Sequence, residues 1–138
     1  MEIAQAFQWV DTTIRADTAL MTAATGGVFQ GIADINVVAP YASYRQQSSV
    51  DVLTMNAARL FNRILMQIKG VAPSSQYAAL VTIADRIDAL FKRVGPVILS
   101  TGGVLEAHRE QIISYEELTS GVQYCHLGGL FLIELQAS

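Results

Sequence analysis

The chain predicts an α+β domain: a mostly antiparallel sheet packed with two helices, one N-terminal and one central and amphipathic, and closed by a C-terminal β-hairpin. Three observations carry this. Leu80, Ile83, Ala84, Ile87, Leu90 and Phe91 recur at i, i+3, i+4, i+7 spacing, the stripe of a half-buried helix. Near the C-terminus, two strand-like runs flank Thr119-Ser120-Gly121, a turn tripeptide. The order of patterns is helix, strands, helix, strands, without the strict alternation of a parallel α/β sheet.

The N-terminal element spans Ile3 to about Ala23. Ile3, Phe7, Val10, Ile14, Leu20 and Met21 follow the helical period, Glu2 suits the positive end of its dipole, and Gly26-Gly27 stops it. Val28 to Ile32 reads as a short strand, and Pro40-Tyr41-Ala42-Ser43-Tyr44 opens another extended run, with proline at its tolerated first position. Gln46 to Asn56 is polar and reads as a loop or the tip of a long hairpin.

Ala57 to Val71 fits two periods. Leu60, Ile64 and Ile68 suit a helix face, while Leu60, Asn62, Ile64, Met66 and Ile68 suit a strand face. The closing Gly70-Val71-Ala72-Pro73, and the helix directly after it, favour a strand over Arg59–Val71. The central helix then runs from about Ser75 to Arg93, with Ser74 or Ser75 as its cap and Gly95-Pro96 as its stop. Asp88 and Lys92 stand four apart in the favourable order. Pro96 to Ser100 is a short strand or edge. Val104 to about Tyr115 and Val122 to Gln136 are the last two strands. In the final one, Val122, Tyr124, His126, Leu130 and Leu132 share one face and Cys125, Leu127, Phe131, Ile133 and Leu135 the other. Both faces are apolar toward the end, so this strand is expected to be covered on both sides.

With 138 residues, the chain is the size of one domain. It is 51% hydrophobic and only 15% charged, against a usual charged share of about 25%. Few charges remain to coat a surface, which favours an oligomer that buries apolar patches. The formal charge of −3, with no basic run, argues against sequence-independent binding to duplex DNA by a single copy. The lone cysteine, Cys125, allows no intrachain disulfide. The Met1-Glu2-Ile3-Ala4-Gln5 start lacks the pattern of a signal peptide. The longest charge-free stretches, Thr18–Ala33 and Leu118–Ile133, are interrupted by polar residues and fall short of a membrane span. A soluble protein, made inside the cell and with no membrane partner, is the expectation.

Chemistry is sparse. Cys125 and His126 are neighbours in a strand and so point to opposite faces, and a zinc site would need more ligands than His108 supplies. A buried thiol and a hydrogen-bonded histidine are expected instead. Glu106, His108 and Glu110 alternate onto one strand face, where a histidine between two carboxylates has the makings of acid–base chemistry, with Arg109 on the opposite face. No nucleophile or oxyanion-hole motif accompanies them. Thr25-Gly26-Gly27-Val28-Phe29, Thr101-Gly102-Gly103-Val104-Leu105 and Leu127-Gly128-Gly129-Leu130-Phe131 echo one another, but no Walker lysine or G-x-G-x-x-G follows. They read as turns feeding strands, with a bulge at the last. No catalytic residue, metal or cofactor is expected. Arg45, Gln46 and Gln47, with Arg59 and Arg63 beyond, fit either ordinary surface or an intersubunit or partner-binding loop and its flank, and Glu106 and Arg109 join them as candidate interface residues. Trp9 is expected in the core, while Tyr41 and Tyr44 fit either core or surface.

The Gly-rich turn Thr25-Gly26-Gly27-Val28-Phe29-Gln30-Gly31-Ile32, the proline-led strand Ala39-Pro40-Tyr41-Ala42-Ser43-Tyr44 and the closing block Gly121 to Phe131 stand in a telling order. With the two helices they resemble the tail terminator, or tail completion, proteins of long-tailed bacteriophages, over nearly the whole chain. The resemblance implies a non-enzymatic virion protein of the neck, made in the host cytoplasm, that forms a homohexameric ring. Such a ring ends the tail tube and offers a joining surface to the head. Its implied partners are further copies of itself, the tail tube protein and a head-completion or connector protein, with DNA passing through the lumen. A head-completion or connector protein is the neighbouring alternative. A small ligand-binding or enzymatic domain using Glu106, His108 and Glu110 is the alternative from another class.

Overall fold

The computed structural model describes residues 2–31, 39–53, 59–99 and 102–136. Helices α1 (Glu2–Ala16) and α2 (Thr18–Ala23) lead into strand β1 (Val28–Gln30). Strands β2 (Tyr41–Leu53) and β3 (Arg59–Pro73) follow. A 3-10 turn (Ser74–Gln76) enters helix α3 (Tyr77–Phe91). Strands β4 (Arg93–Val94), β5 (Val97–Leu99), β6 (Gly102–Thr119) and β7 (Val122–Gln136) complete the chain. One seven-stranded sheet has the order β1-β2-β3-β7-β6-β4, with β5 beside β4 on β6. Every pairing is antiparallel except β1 with β2. The α+β reading, with its closing hairpin, holds.

The helices cover one face of the sheet. Ile64, Met66 and Ile68 of β3 and Phe131, Ile133 and Leu135 of β7 point to that side, and all are fully buried. The α3 stripe meets them: Leu80, Ile83, Ala84, Ile87 and Phe91 are buried, as the helical period predicts. Trp9 lies in the same core, edge-on to Phe91 at 5.4 Å between ring centroids.

Several local expectations change. The N-terminal helix is not continuous but breaks at Asp17, whose carboxylate accepts the Leu20 backbone N–H at 2.9 Å and caps α2. Arg86 on α3 holds the same carboxylate at 2.5 Å. This hydrogen bond, ahead of the opposing effect of burial, sets the Asp17 carboxyl below its usual range. Of the two readings of Gln46–Asn56, the loop gives way and the long hairpin stands, with residues up to Leu53 in its β2 arm, whose register against β3 places Ser49 and Asp51 where Asn62 can bridge them at 2.9 and 2.7 Å. Residues 54–56 lie outside the described part, as does Ile32 at the end of the expected first strand.

Neither Ser74 nor Ser75 caps α3. Both fall in the 3-10 turn, and Gln76 stands at the N-cap without a side-chain bond. The helix ends at Phe91 rather than Arg93, because Arg93 and Val94 pair with His108 and Ala107 of β6. Asp88 is turned to Arg109 of β6 at 2.5 Å. The closing turn is Ser120-Gly121, both at positive φ (51° and 78°), the two-residue connection whose twist matches paired strands.

The bulge expected at Gly128-Gly129 lies on the partner strand instead, where the β6–β7 register shifts between Arg109 and Gln111. The glycines serve close approach. A Cβ at Gly128 would stand 2.3 Å from the Ile68 carbonyl oxygen and 2.5 Å from the Lys69 Cα, both backbone atoms of β3 that cannot yield locally. The Gly128→Ala variant is accordingly expected to lose about 3 kcal/mol of stability, read as a lower midpoint in urea or guanidinium unfolding.

Candidate functional site

The second face of the sheet carries no helix among the described residues. β7 was expected to be covered on both sides; its Phe131, Ile133 and Leu135 are covered, while Leu130, Leu132 and Glu134 on the other side remain half-exposed. The period of two explains the apolar pattern of both faces but does not supply a second cover. This open face is the candidate site. Its shallow middle is lined by Leu65, Leu130 and Leu132, with Val50, Arg63 and Glu110 around them.

Two polar clusters flank that middle. In the first, Arg63 of β3 meets Glu134 of β7 at 3.1 Å, its cross-strand partner, and lies 5.5 Å from the Phe61 ring centroid. Glu106 is the neighbour of Glu134 on β6. His108 stands between the two carboxylates predicted from alternation, Nδ1 at 3.4 Å from Glu106 and Nε2 at 2.7 Å from Glu110. The acids approach opposite edges of the imidazole, so they do not converge on one point where an ion or a reacting atom could sit. Among the described residues no group of three or more His, Cys, Asp or Glu side chains is arranged to hold a metal. The arrangement fixes a ring orientation and leaves its three members half-exposed or exposed.

The second cluster escaped the sequence reading. Tyr115 stacks on His126, with ring centroids 4.2 Å apart and planes at 10°. Lys69 Nζ donates to the Tyr115 hydroxyl at 2.6 Å and lies 5.0 Å from the ring centroid. Glu117 meets His126 Nε2 at 2.7 Å. Register brings these together, since Val71, His126 and Tyr115 lie opposite one another on β3, β7 and β6. Alternation places Tyr115 and Glu117 on one face, but only the β6–β7 pairing reveals which histidine they meet. Beneath this stack His126 is 6% exposed. Burial lowers its pKa from the usual value, against the opposing pull of the Glu117 hydrogen bond. Burial likewise raises Tyr41, which feels Glu117, Tyr124 and Tyr115 as well. Cys125 faces the other way, against Ala72 and Leu80, so the adjacent thiol and imidazole are separated as expected.

The predicted interface residues are dispersed. Arg45 is mid-strand on the open face opposite Gln67, Gln46 opposes Met66, and Gln47 is the extra residue of a β2 bulge. Arg63 and Glu106 belong to the first cluster. Arg109 points to the helical face and binds Asp88 of α3, as its opposite parity requires. Arg59 begins β3, and its side chain lies outside the described ones. Tyr44 is core: its hydroxyl donates to Asp11 at 3.0 Å, and burial, with Asp11, pushes its pKa up to about 12. No helix among the described residues is long and apolar enough to cross a membrane.

No family model matches the chain, and no curated protein matches it. Seven chains among solved structures do. One comes from the virion of a native gene transfer agent particle: it is 13% identical, with a TM-score of 0.71, and the match covers 91% of this chain and 90% of that one. The likeness is one of fold, over the greater part of both chains.

The buried imidazole gives a pH signature. An unfolded histidine takes up its proton near 6.5, and His126 in the folded chain only at lower pH. Its stabilising contribution is therefore complete above 6.5 and declines as the pH falls below that value, until the folded ring is protonated too. Unfolding midpoints measured from about pH 7 down to about pH 5 are expected to fall more steeply for the wild type than for His126→Gln.

Proposed function

We propose that this chain is a structural protein of a phage-like virion and that it acts at the neck. In this reading it forms a homohexameric ring that ends the tail tube and gives the head its joining surface, with DNA passing through the lumen. Its partners are further copies of itself, the tail tube protein and a head-completion or connector protein. The observation that carries the virion role is the fold shared with a virion chain over 91% of this one at a TM-score of 0.71. The resemblance of the Gly-rich turn, the proline-led strand and the closing hairpin to tail terminators supplies the finer assignment. Leucines left half-exposed on a sheet face in a single copy are in keeping with work done by assembly.

The candidate chemistry favours the same reading. Glu110 binds His108 Nε2 while Glu106 stands 3.4 Å from Nδ1 on the other side, and the depression beside them is shallow and walled about equally by apolar and polar side chains. A surface of this kind suits contact better than turnover.

The purified chain, imaged by negative stain alone and after mixing with tails that lack their terminal ring, is expected to form rings and to bind one end of the tube. A chain that stays monomeric and binds neither tails nor connectors contradicts the proposal.

A further inference from the structure

Both flanks of the sheet end in strands that are only half paired. On β2, the short β1 covers residues 42–44, and the Gly31 N–H donates to the Tyr44 carbonyl. Beyond that point nothing among the described residues pairs with the outer edge of β2. On β6, strands β5 and β4 cover residues 102–104 and 107–108, and the Arg109 N–H donates to the Lys92 carbonyl. The outer edge of residues 110–119 is likewise unpaired among the described residues. Backbone donors and acceptors along such edges are a template for another strand.

Both edges lack two common forms of protection. Residues 45–53 and 110–119 contain no lysine and no proline, the residues that commonly blunt exposed edges. Shifts at Gln46/Ser48 and Arg109/Gln111 lie at the inner ends of the free stretches and another at Val52/Leu53 near the outer end of the β2 stretch, leaving Ser48–Val52 and Gln111–Thr119 in regular register with their own neighbours. Large exposed apolar side chains gather on the same stretches: Val50 and Leu53 on β2, and Ile112, Tyr115 and Leu118 on β6.

Charge disfavours one way for the edges to meet, and position suits another. The β6 stretch carries Glu110, Glu116 and Glu117 and no cation, so two copies of it repel. The β2 stretch carries one cation, Arg45, and one anion, Asp51, and meets the acidic edge without that repulsion. The two free stretches also lie diagonally. That of β2 lies along the half of β3 nearest Arg59, whereas that of β6 lies along the half of β7 nearest Val122. Joined edge to edge, successive copies are offset along the strand direction. Such a stagger is what a sheet needs to close into a barrel of tilted strands.

We propose that the β6 edge of one copy pairs with the β2 edge of the next, so that copies join head to tail into one continuous sheet. The proposal rests on the ring reading above and names the junction that builds the ring. A heterologous contact of this kind closes into a ring when the rotation between copies allows it.

The test uses two variants, each adding like charge at one edge on exposed side chains, so that the fold is retained: Val50→Asp with Leu53→Asp, and Ile112→Asp with Leu118→Asp. Circular dichroism checks folding, and native mass spectrometry reads the assembly. Each variant alone is expected to lose the wild-type assembly. Their mixture is expected to yield heterodimers only, since one intact β2 edge and one intact β6 edge remain. If the β6 variant assembles like the wild type while the β2 variant does not, the contact is β2 with β2 and the proposal fails. It fails equally if both folded variants assemble normally. A wild-type chain that is monomeric throughout defeats the ring reading itself.

Discussion

The structure depends on the pairing of β3 with β7. The two strands run side by side from Phe61–Gln136 to Pro73–Tyr124 without a register shift. That register puts Ile64, Met66 and Ile68 beside Phe131, Ile133 and Leu135 on the face that the helices cover. A slip of β3 by one residue against β7 would turn Ile64, Met66 and Ile68 outward and present Leu65 and Gln67 to the core instead. The absence of a side chain at Gly128 allows the backbones their close approach. The bulge on β6 then absorbs an extra residue without disturbing the central pair.

Around this pair the molecule is one-sided. Helices α1 to α3 close one face, and the Asp17–Arg86 pair ties α2 to α3 across it. The opposite face keeps its leucines half-exposed between two polar clusters. The same one-sidedness turns the low charge content into a physical statement. With so few charged side chains, apolar ones necessarily occupy the open face and the strand edges, where a neighbouring chain can bury them.

Much of this was legible in the residues. The α3 stripe and the parity of β7 correctly sort which side chains enter the core, and alternation correctly groups Glu106, His108 and Glu110. What escaped depends on tertiary partners. Asp17 reads as an ordinary helical residue until Arg86, far along the chain, is seen to share it. The polar run after Arg45 reads as a loop or a hairpin tip because glutamine and serine suit both, yet β3 supplies a backbone ladder along most of it and Asn62 bridges its side chains. The Lys69–Tyr115–His126–Glu117 cluster spans three strands, so no local spacing announces it.

A rigid β3–β7 pair is flanked by unfinished edges. Hydrogen–deuterium exchange of the chain, dilute enough to be monomeric, tests it most directly. The amides of residues 62–70 and 125–134 are expected to exchange slowest, and those of 111–119 and 48–52 far faster on average. Concentrating the chain into its assembly is expected to slow the second group and leave the first unchanged. Fast exchange in the central pair, or edge amides equally protected in the monomer, would contradict it.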